Sequence, residues 1–262
     1  MRICHITTAH PQFDVRIYVK ECTTLAQAGF DVVLLGSGFE EGKTRGGVEI
    51  QALPKRSGRG GRLISAIFDA PFKALATKAA VFHFHDPELL LAGVFLKCCG
   101  KKVIYDAHED FAAAALTREW IPKALRHIVS MLYRGIEFIC FLFYDAVIGA
   151  TTTISLNVPT AKTVTVQNYP LKNEFVSSLS FNPTAKSCMV YVGLCSLERG
   201  AAEMVKAIDL IADSKQVRLK IAGTLAAGLK DELSLLPGWS KVTLLGQLDR
   251  KELINLFSEG LA

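Results

Sequence analysis

Four short polar runs in this chain combine residues able to hold an anion or move a proton. The first, TTAHPQFDVR over 7–16, offers His10, Asp14 and Arg16. The second, HFHDPE over 83–88, places His83 and His85 two residues apart, so that on a strand they share a face, with Asp86 and Glu88 beyond them. The third, DAHED over 106–110, sets His108 between Asp106 and the pair Glu109–Asp110. Flanking carboxylates favour a protonated, fixed imidazole. The fourth, GLCSLERG over 193–200, carries Arg199 just before Gly200, where a guanidinium can grip a diphosphate through two parallel hydrogen bonds.

These residue types also admit plainer roles. HDPE reads equally as a helix start, with Asp86 as N-cap, Pro87 at the first helical position and Glu88 in the first turn. His85, Asp86 and Glu88 could ligate a metal, but the local pattern supplies no ligand set of fixed geometry, and no metal is expected. His5 lies within a strand and His127 within a helix, and both read as structural or surface residues. No G-x-G-x-x-G follows the first strand, and GFEEGKT at 38–44 is one residue short of a Walker motif. SGRGGR at 57–62 is a flexible basic segment before a helix, either a phosphate- or acceptor-contacting loop or a solvated turn.

The elements that must position these residues follow from hydrophobic periodicity. RICHI, FDVVLLG, GGVEIQAL, AVFHFHD, KKVIYDA, DAVIGAT and KTVTVQNYP read as short strands, apolar on both faces where they are longest. Helical stretches fall over 16–29, 61–80, 87–100 and 121–144. After a polar segment near 170–186 a second series opens: strands CMVYVG, VRLKIAG and KVTLLG, with helices over 200–213, 225–236 and 249–258. Strands buried on both faces that alternate with helices make a parallel sheet covered on both sides. In such sheets ligands bind beyond the carboxyl ends of the strands, where all four polar runs fall. The expected domains are 1–172 and 173–262. The second holds about three strand–helix units where roughly five or six strands are usual, and is expected to be incomplete.

With 262 residues, 50% hydrophobic and 21% charged, the chain is neither disordered nor low-complexity. Seven cysteines without a C-x-x-C argue against disulfides and thiolate zinc, and the start lacks a signal-peptide core, so a cytoplasmic protein is expected. Residues 1–173 carry 20 Lys/Arg against 15 Asp/Glu, which is the whole net charge of +5. Eight of those basic residues fall within 43–78, a patch that attracts phosphate, whether of a metabolite, an anionic lipid or nucleic acid. Nucleic acid would account for the patch but not for two α/β domains, and is not expected. Residues 121–144 are greasy, yet the longest uncharged run, FICFLFY, has seven residues, far short of a span. That stretch reads as a helix lying on a membrane or as a core helix.

Taken in order, MRICHITTAHPQFDVRIYVKEC, VFHFHDPELLLAG, KKVIYDAHED, VTVQNYP and YVGLCSLERG resemble the glycosyltransferase family 4 type of retaining, nucleotide-sugar-dependent enzyme. The resemblance implies a GT-B fold: two Rossmann-like parallel-sheet domains facing across a cleft, the second one incomplete. It implies transfer of a sugar, with retention, from a nucleotide-sugar donor to a lipid-linked saccharide or polysaccharide acceptor, without cofactor or metal, at the inner face of the cytoplasmic membrane. His108 is then the catalytic cleft histidine near the donor sugar. Arg199, Gly193 and His10 hold the donor diphosphate, and Asp14, Arg16, His85, Asp86 and Glu109 belong to the acceptor or cleft loops. Two departures stand out: Leu194 occupies the position after the VG glycine where many members have Arg, and the later glutamate pair that holds ribose and sugar would fall beyond Ala262. The alternatives are a non-catalytic acceptor-binding subunit or remnant, completed by a second chain, and a nucleotide-sugar 2-epimerase.

Overall fold

The computed structural model describes residues 1–44, 46–118, 121–158, 162–171, 188–211 and 217–260. The expected inter-domain segment at 170–186 lies almost wholly outside these residues. Two compact units are present, Met1–Asn168 and Tyr169–Ala262.

The first unit is built on an eight-stranded sheet. Its strands are β1 (Arg2–Thr7), β2 (Asp31–Ser37), β3 (Gly42–Lys43), β4 (Glu49–Leu53), β5 (Val81–Phe84), β6 (Lys102–Ala107), β7 (Ala146–Gly149) and β8 (Thr163–Thr165). Their order is β3-β4-β2-β1-β5-β6-β7-β8, all parallel except the short edge strand β3. The period of two explains why both faces are buried. Cys4, Ile6, Val33, Leu35, Phe82, Phe84, Val103 and Tyr105 point to one face and form its main apolar core. Val32, Leu34 and Ile50 point to the other, under Ile17 and Cys22. At the centre of that second face the alternation brings in His5, His83, His85 and Asp106, all buried.

The helices depart from their expected limits in informative ways. The first stretch is a π-helix, Val15–Cys22, running into α1 (Thr23–Gln27). Its wide turn carries Arg16 and Glu21, five residues apart, on one side, with the guanidinium and carboxylate 3.2 Å apart. The glycine-rich SGRGGR segment is helical rather than a loop: α2 (Gly58–Ile64) passes through a π turn into α3 (Ala70–Ala76). Tertiary packing overrides the poor helix propensity of Gly58, Gly60 and Gly61, since Ala66, Ala70 and Ala74 are fully buried. The helix α4 (Leu90–Cys98) follows β5, α5 (Phe111–Ala115) follows β6, and α7 (Thr152–Asn157) follows β7.

The greasy stretch is α6 (Arg126–Phe143), preceded by a 3₁₀ turn at Lys123–Leu125. Cys140 and Phe141 enter the core, while Ile128, Met131, Leu132, Ile136, Ile139 and Leu142 stay exposed. No helix among the described residues is long and apolar enough to cross a membrane. Glu137 is buried on the inner side, and burial pushes its carboxyl up to about 7. The folded protein therefore keeps a proton that the unfolded chain releases, and stability falls as pH rises from about 4.5 to 7. Glu137→Gln should remove this term, so the pH 5 to pH 8 loss of unfolding free energy should shrink by about 2–3 kcal/mol. Denaturant titrations at the two pH values check it; equal losses in both proteins would show Glu137 to be ionised throughout.

The second unit has a parallel sheet in the order β11-β10-β9, from β9 (Cys188–Val192), β10 (Arg218–Ala222) and β11 (Val242–Gly246). The helix α8 (Ala201–Asp209) packs Val205 and Ile208 against Leu219 and Ile221. Two further helices among the described residues are α9 (Leu229–Ser234), shorter than the expected 225–236, and α10 (Arg250–Glu259), shifted by one residue from the expected 249–258. Asp249 and Glu252 form a capping box that starts α10. None of the seven cysteines, all among the described residues, forms a disulfide.

Candidate functional site

At the carboxyl ends of β1, β5 and β6 the first unit opens into a pocket of about 630 Å³. His10, His85, Asp86, His108 and Glu109 line it, as do three cations, Arg59 and Arg62 from α2 and Arg118 beyond α5. Of the residues expected in this region, Asp14 and Arg16 stand behind the pocket rather than on its wall.

The support begins with Arg16 and Asp106, ninety positions apart in the chain and both buried. The Arg16 Nε and one terminal nitrogen donate to the two Asp106 carboxylate oxygens at 2.7 Å each, and the other terminal nitrogen donates to the Val166 carbonyl at 2.8 Å. Burial alone would raise the Asp106 carboxyl. Hydrogen bonds from His108, His85 and Arg16 hold it far below the ordinary carboxylate range instead, so it is a fixed anion. His108 Nε2 lies 2.9 Å from Asp106 Oδ2, and His85 Nδ1 lies 3.3 Å from the same oxygen. With Asp106 ionised, His108 Nε2–H donates to it, which leaves Nδ1 as the acceptor atom of a partly exposed imidazole.

Asp86 corrects the helix-start reading. It stands at the N-cap position before the 3₁₀ turn Pro87–Leu89, but its side chain caps nothing. Its Oδ2 accepts from Thr7 Oγ1 at 2.7 Å and from the Thr8 N–H at 2.6 Å, which ties the β5 loop to the β1 loop. Glu88 accepts from Thr8 Oγ1 at 3.1 Å. His10 sits against this knot, 3.5 Å from Asp86 Oδ1 and 3.6 Å from Asp14, with its ring centroid 4.9 Å from that of His108. The Asp14 hydrogen bond leads the effects that raise the His10 pKa, and burial works against it. Asp14 also caps the π-helix, accepting from the Arg16 and Ile17 N–H groups at 2.8 and 3.0 Å. Burial pushes its carboxyl up, but the His10 and backbone hydrogen bonds bring it down to about 2. Glu109 on the rim holds Arg118 at 2.7 Å.

Gly193 and Arg199 lie in the second unit. Gly193 ends β9 with φ +141°, and the Arg199 guanidinium lies 3.8 Å from the point a Gly193 Cβ would occupy. Arg199 closes the 3₁₀ turn Leu197–Arg199, and Gly200, at φ +77°, opens α8. The carboxyl ends of β9 and β10 come together at a close glycine contact: a Cβ on Gly223 (φ +127°) would stand 2.1 Å from the Gly193 carbonyl oxygen. Gly223→Ala should therefore lower unfolding free energy by about 2 kcal/mol or more. Thermal melts of this variant check the point, and an unchanged melting temperature would show that the two strand ends can separate.

Sequence reasoning missed Glu21, His5 and Arg118, and left Arg59 and Arg62 open between a phosphate- or acceptor-contacting loop and a solvated turn. Glu21 is half-buried near His5, His83 and His85, and His5 Nδ1 and His85 Nε2 are 3.0 Å apart. A strand-to-strand register signal, His5 opposite His83, was available only once β1 was known to pair with β5.

Comparison with known proteins bears on the fold. No protein-family model matches the chain, and no curated protein matches it in sequence. Among solved structures, WaaG, a glycosyltransferase involved in lipopolysaccharide biosynthesis, is 13% identical with a TM-score of 0.72, over 99% of this chain and 73% of that one. A sucrose-phosphate synthase from Thermosynechococcus elongatus is 17% identical with a TM-score of 0.69, again over 99% and 73%. Anabaena HepE, in complex with UDP and glucose, is 14% identical with a TM-score of 0.68, over 99% and 72%. The chain has the α/β GT-B type of fold that these proteins share, with one large and one small parallel sheet.

Proposed function

We propose that this protein is a glycosyltransferase that moves a sugar, with retention, from a nucleotide-sugar donor to a lipid-linked saccharide or polysaccharide acceptor. The observation that carries the reading is the pocket at the carboxyl ends of β1, β5 and β6, where a buried Arg16–Asp106 pair fixes His108 among histidine and arginine side chains. HepE, of the same fold, holds UDP and glucose, which supports a nucleotide-sugar as the donor.

Breaking a sugar–phosphate bond leaves negative charge on the diphosphate and positive character on the anomeric carbon. Arg199, the close backbone at Gly193 and the N-terminus of α8 suit the departing diphosphate, so that charge is neutralised by side-chain cations and helix N–H groups without a metal on the phosphates. His108 presents Nδ1 to a donor-sugar hydroxyl near the reacting carbon, and His10, its pKa raised by Asp14 and Asp86, favours an anionic group near it. Asp86, His85 and Glu109 shape the acceptor side. The carboxylates that line the pocket are engaged, Asp86 and Glu88 by Thr7 and Thr8 and Glu109 by Arg118, and same-face attack assisted by the leaving phosphate fits the residues best.

The acceptor reading rests on the exposed apolar residues of α6, with Leu63, Ile64, Ile67, Phe68 and Phe72 of α2–α3 and the basic Arg59, Arg62 and Lys73 that flank them in sequence. Such a surface suits an anionic membrane face from which a lipid-linked acceptor is presented. The test supplies labelled nucleotide-sugars with membrane glycolipids and reads label in the lipid or polysaccharide fraction, with the product's anomeric configuration by NMR. Label in that fraction with retained configuration supports the proposal. Sugar isomerisation without acceptor would instead favour an epimerase, a reading that the similar UDP-N-acetylglucosamine 2-epimerase from Rickettsia bellii (11% identity, TM-score 0.57, over 100% of this chain and 72% of that one) keeps open. Acceptor binding without turnover would favour a non-catalytic subunit.

A further inference from the structure

We infer that His5, His83, His85 and Glu21 bind a divalent transition metal, of the zinc class, beneath the pocket. The inference is independent of the transferase reading and departs from the metal-free expectation drawn from sequence, which weighed His85 with Asp86 and Glu88. Those two carboxylates are engaged by Thr7 and Thr8, whereas His85 Nε2 turns to the opposite side.

Three histidines reach one point because of the sheet. His5 on β1 pairs in register with His83 on β5, and His85, two residues on, shares the same face. The π-helix lays Glu21 over them. One ligand atom from each of the four lies within 4.8 Å of the others. His5 Nδ1 and His85 Nε2 are 3.0 Å apart, and Glu21 Oε2 stands 3.8, 3.9 and 3.9 Å from His5 Nδ1, His83 Nδ1 and His85 Nε2. A tetrahedral ion with ligands at about 2.0–2.1 Å has edges of about 3.4 Å, within this spread.

Hydrogen bonding alone does not account for the cluster. A neutral imidazole pair explains the His5–His85 contact, but Glu21 Oε2 is buried with no hydrogen-bond partner, and its three imidazole neighbours are too far to donate. A cation at the centre would engage the facing atom of each of the four groups, while His5 Nε2 and His83 Nε2, on the far side of their rings, have no partner. Around His85 and Glu21 the surroundings match a metal's outer shell. His85 turns its other nitrogen, Nδ1, to Asp106 Oδ2 at 3.3 Å, and Arg16 Nε holds the second Glu21 oxygen at 3.2 Å. Three nitrogens and one carboxylate oxygen suit zinc rather than magnesium or calcium. All four positions are filled by protein, so the ion would be structural. It would fix the tautomer of His85, and through Asp106 the orientation of His108.

The experiment uses the full chain exposed to zinc and then passed into metal-free buffer, with metal counted by mass spectrometry, and a parallel sample loaded with cobalt(II). One zinc per chain, tetrahedral cobalt bands, and loss of both in Glu21→Gln and His83→Ala are expected, with His108→Ala keeping its metal. If either of the first two variants fails to fold, the wild-type cobalt spectrum decides. Folded wild type that retains no zinc and shows no cobalt band would overturn the inference. So would metal lost in His108→Ala but kept in Glu21→Gln, which would move the ion to His85, Asp106 and His108.

Discussion

Asp106→Ala should cost the protein about 3–5 kcal/mol of unfolding free energy, the loss typical when one partner of a buried ion pair is removed. The Arg16 guanidinium, only 6% exposed, would be left with a carbonyl and the more distant Glu21 in place of a two-point carboxylate. His85 and His108 would each lose their shared acceptor. Denaturant unfolding measures the effect. Replacing both partners, Arg16→Met with Asp106→Leu, should recover part of the stability, because two apolar side chains need no partner while His85 and His108 still lack their acceptor, and it should not recover activity. Recovery of both would mean that the pair only fills space. An Asp106→Ala loss below about 1 kcal/mol would mean that water reaches Arg16.

His108→Ala is expected to lower kcat for sugar transfer by about 10²–10⁴-fold, the range for a positioned acid–base or polar group at a reacting centre. Its side chain is 20% exposed and bonds only at the edge of the Asp106 network, so the melting temperature should stay near that of the wild type. A fall in kcat with KM for the donor little changed would mark an interaction made mainly in the transition state. Equal loss of stability and rate would reduce His108 to a structural residue.

How far the sequence reaches is clear from particular residues. The sheets were legible because Val32–Leu35 is apolar throughout, and Phe82 and Phe84 alternate with His83, in strands buried on both faces. The pocket was legible because polar runs ended the strands, which located His10, His85, Asp86, His108 and Glu109. Spacing misleads elsewhere. Arg16 and Glu21 share a side only because a π-helix turns there, and a five-residue interval is not what a 3.6-residue period selects. Arg59 and Arg62 looked like loop residues because glycine is a poor helix former, yet the alanine face of the next two turns anchors the helix. Asp86 carries the right residue type for a cap and spends its carboxylate on another loop. Partners separated by ninety positions, as in Arg16–Asp106, leave no local trace at all.

The central claim is that the chain holds a nucleoside-diphosphate sugar. Calorimetric titration of the full protein with a panel of such donors tests it without knowledge of the acceptor. The account expects one binding site for at least one donor, weakened about 10²-fold by Arg199→Ala through loss of charge-assisted bonds to the diphosphate, and little changed by His108→Ala. Absence of binding across the panel by folded protein, or affinity indifferent to Arg199, would contradict it.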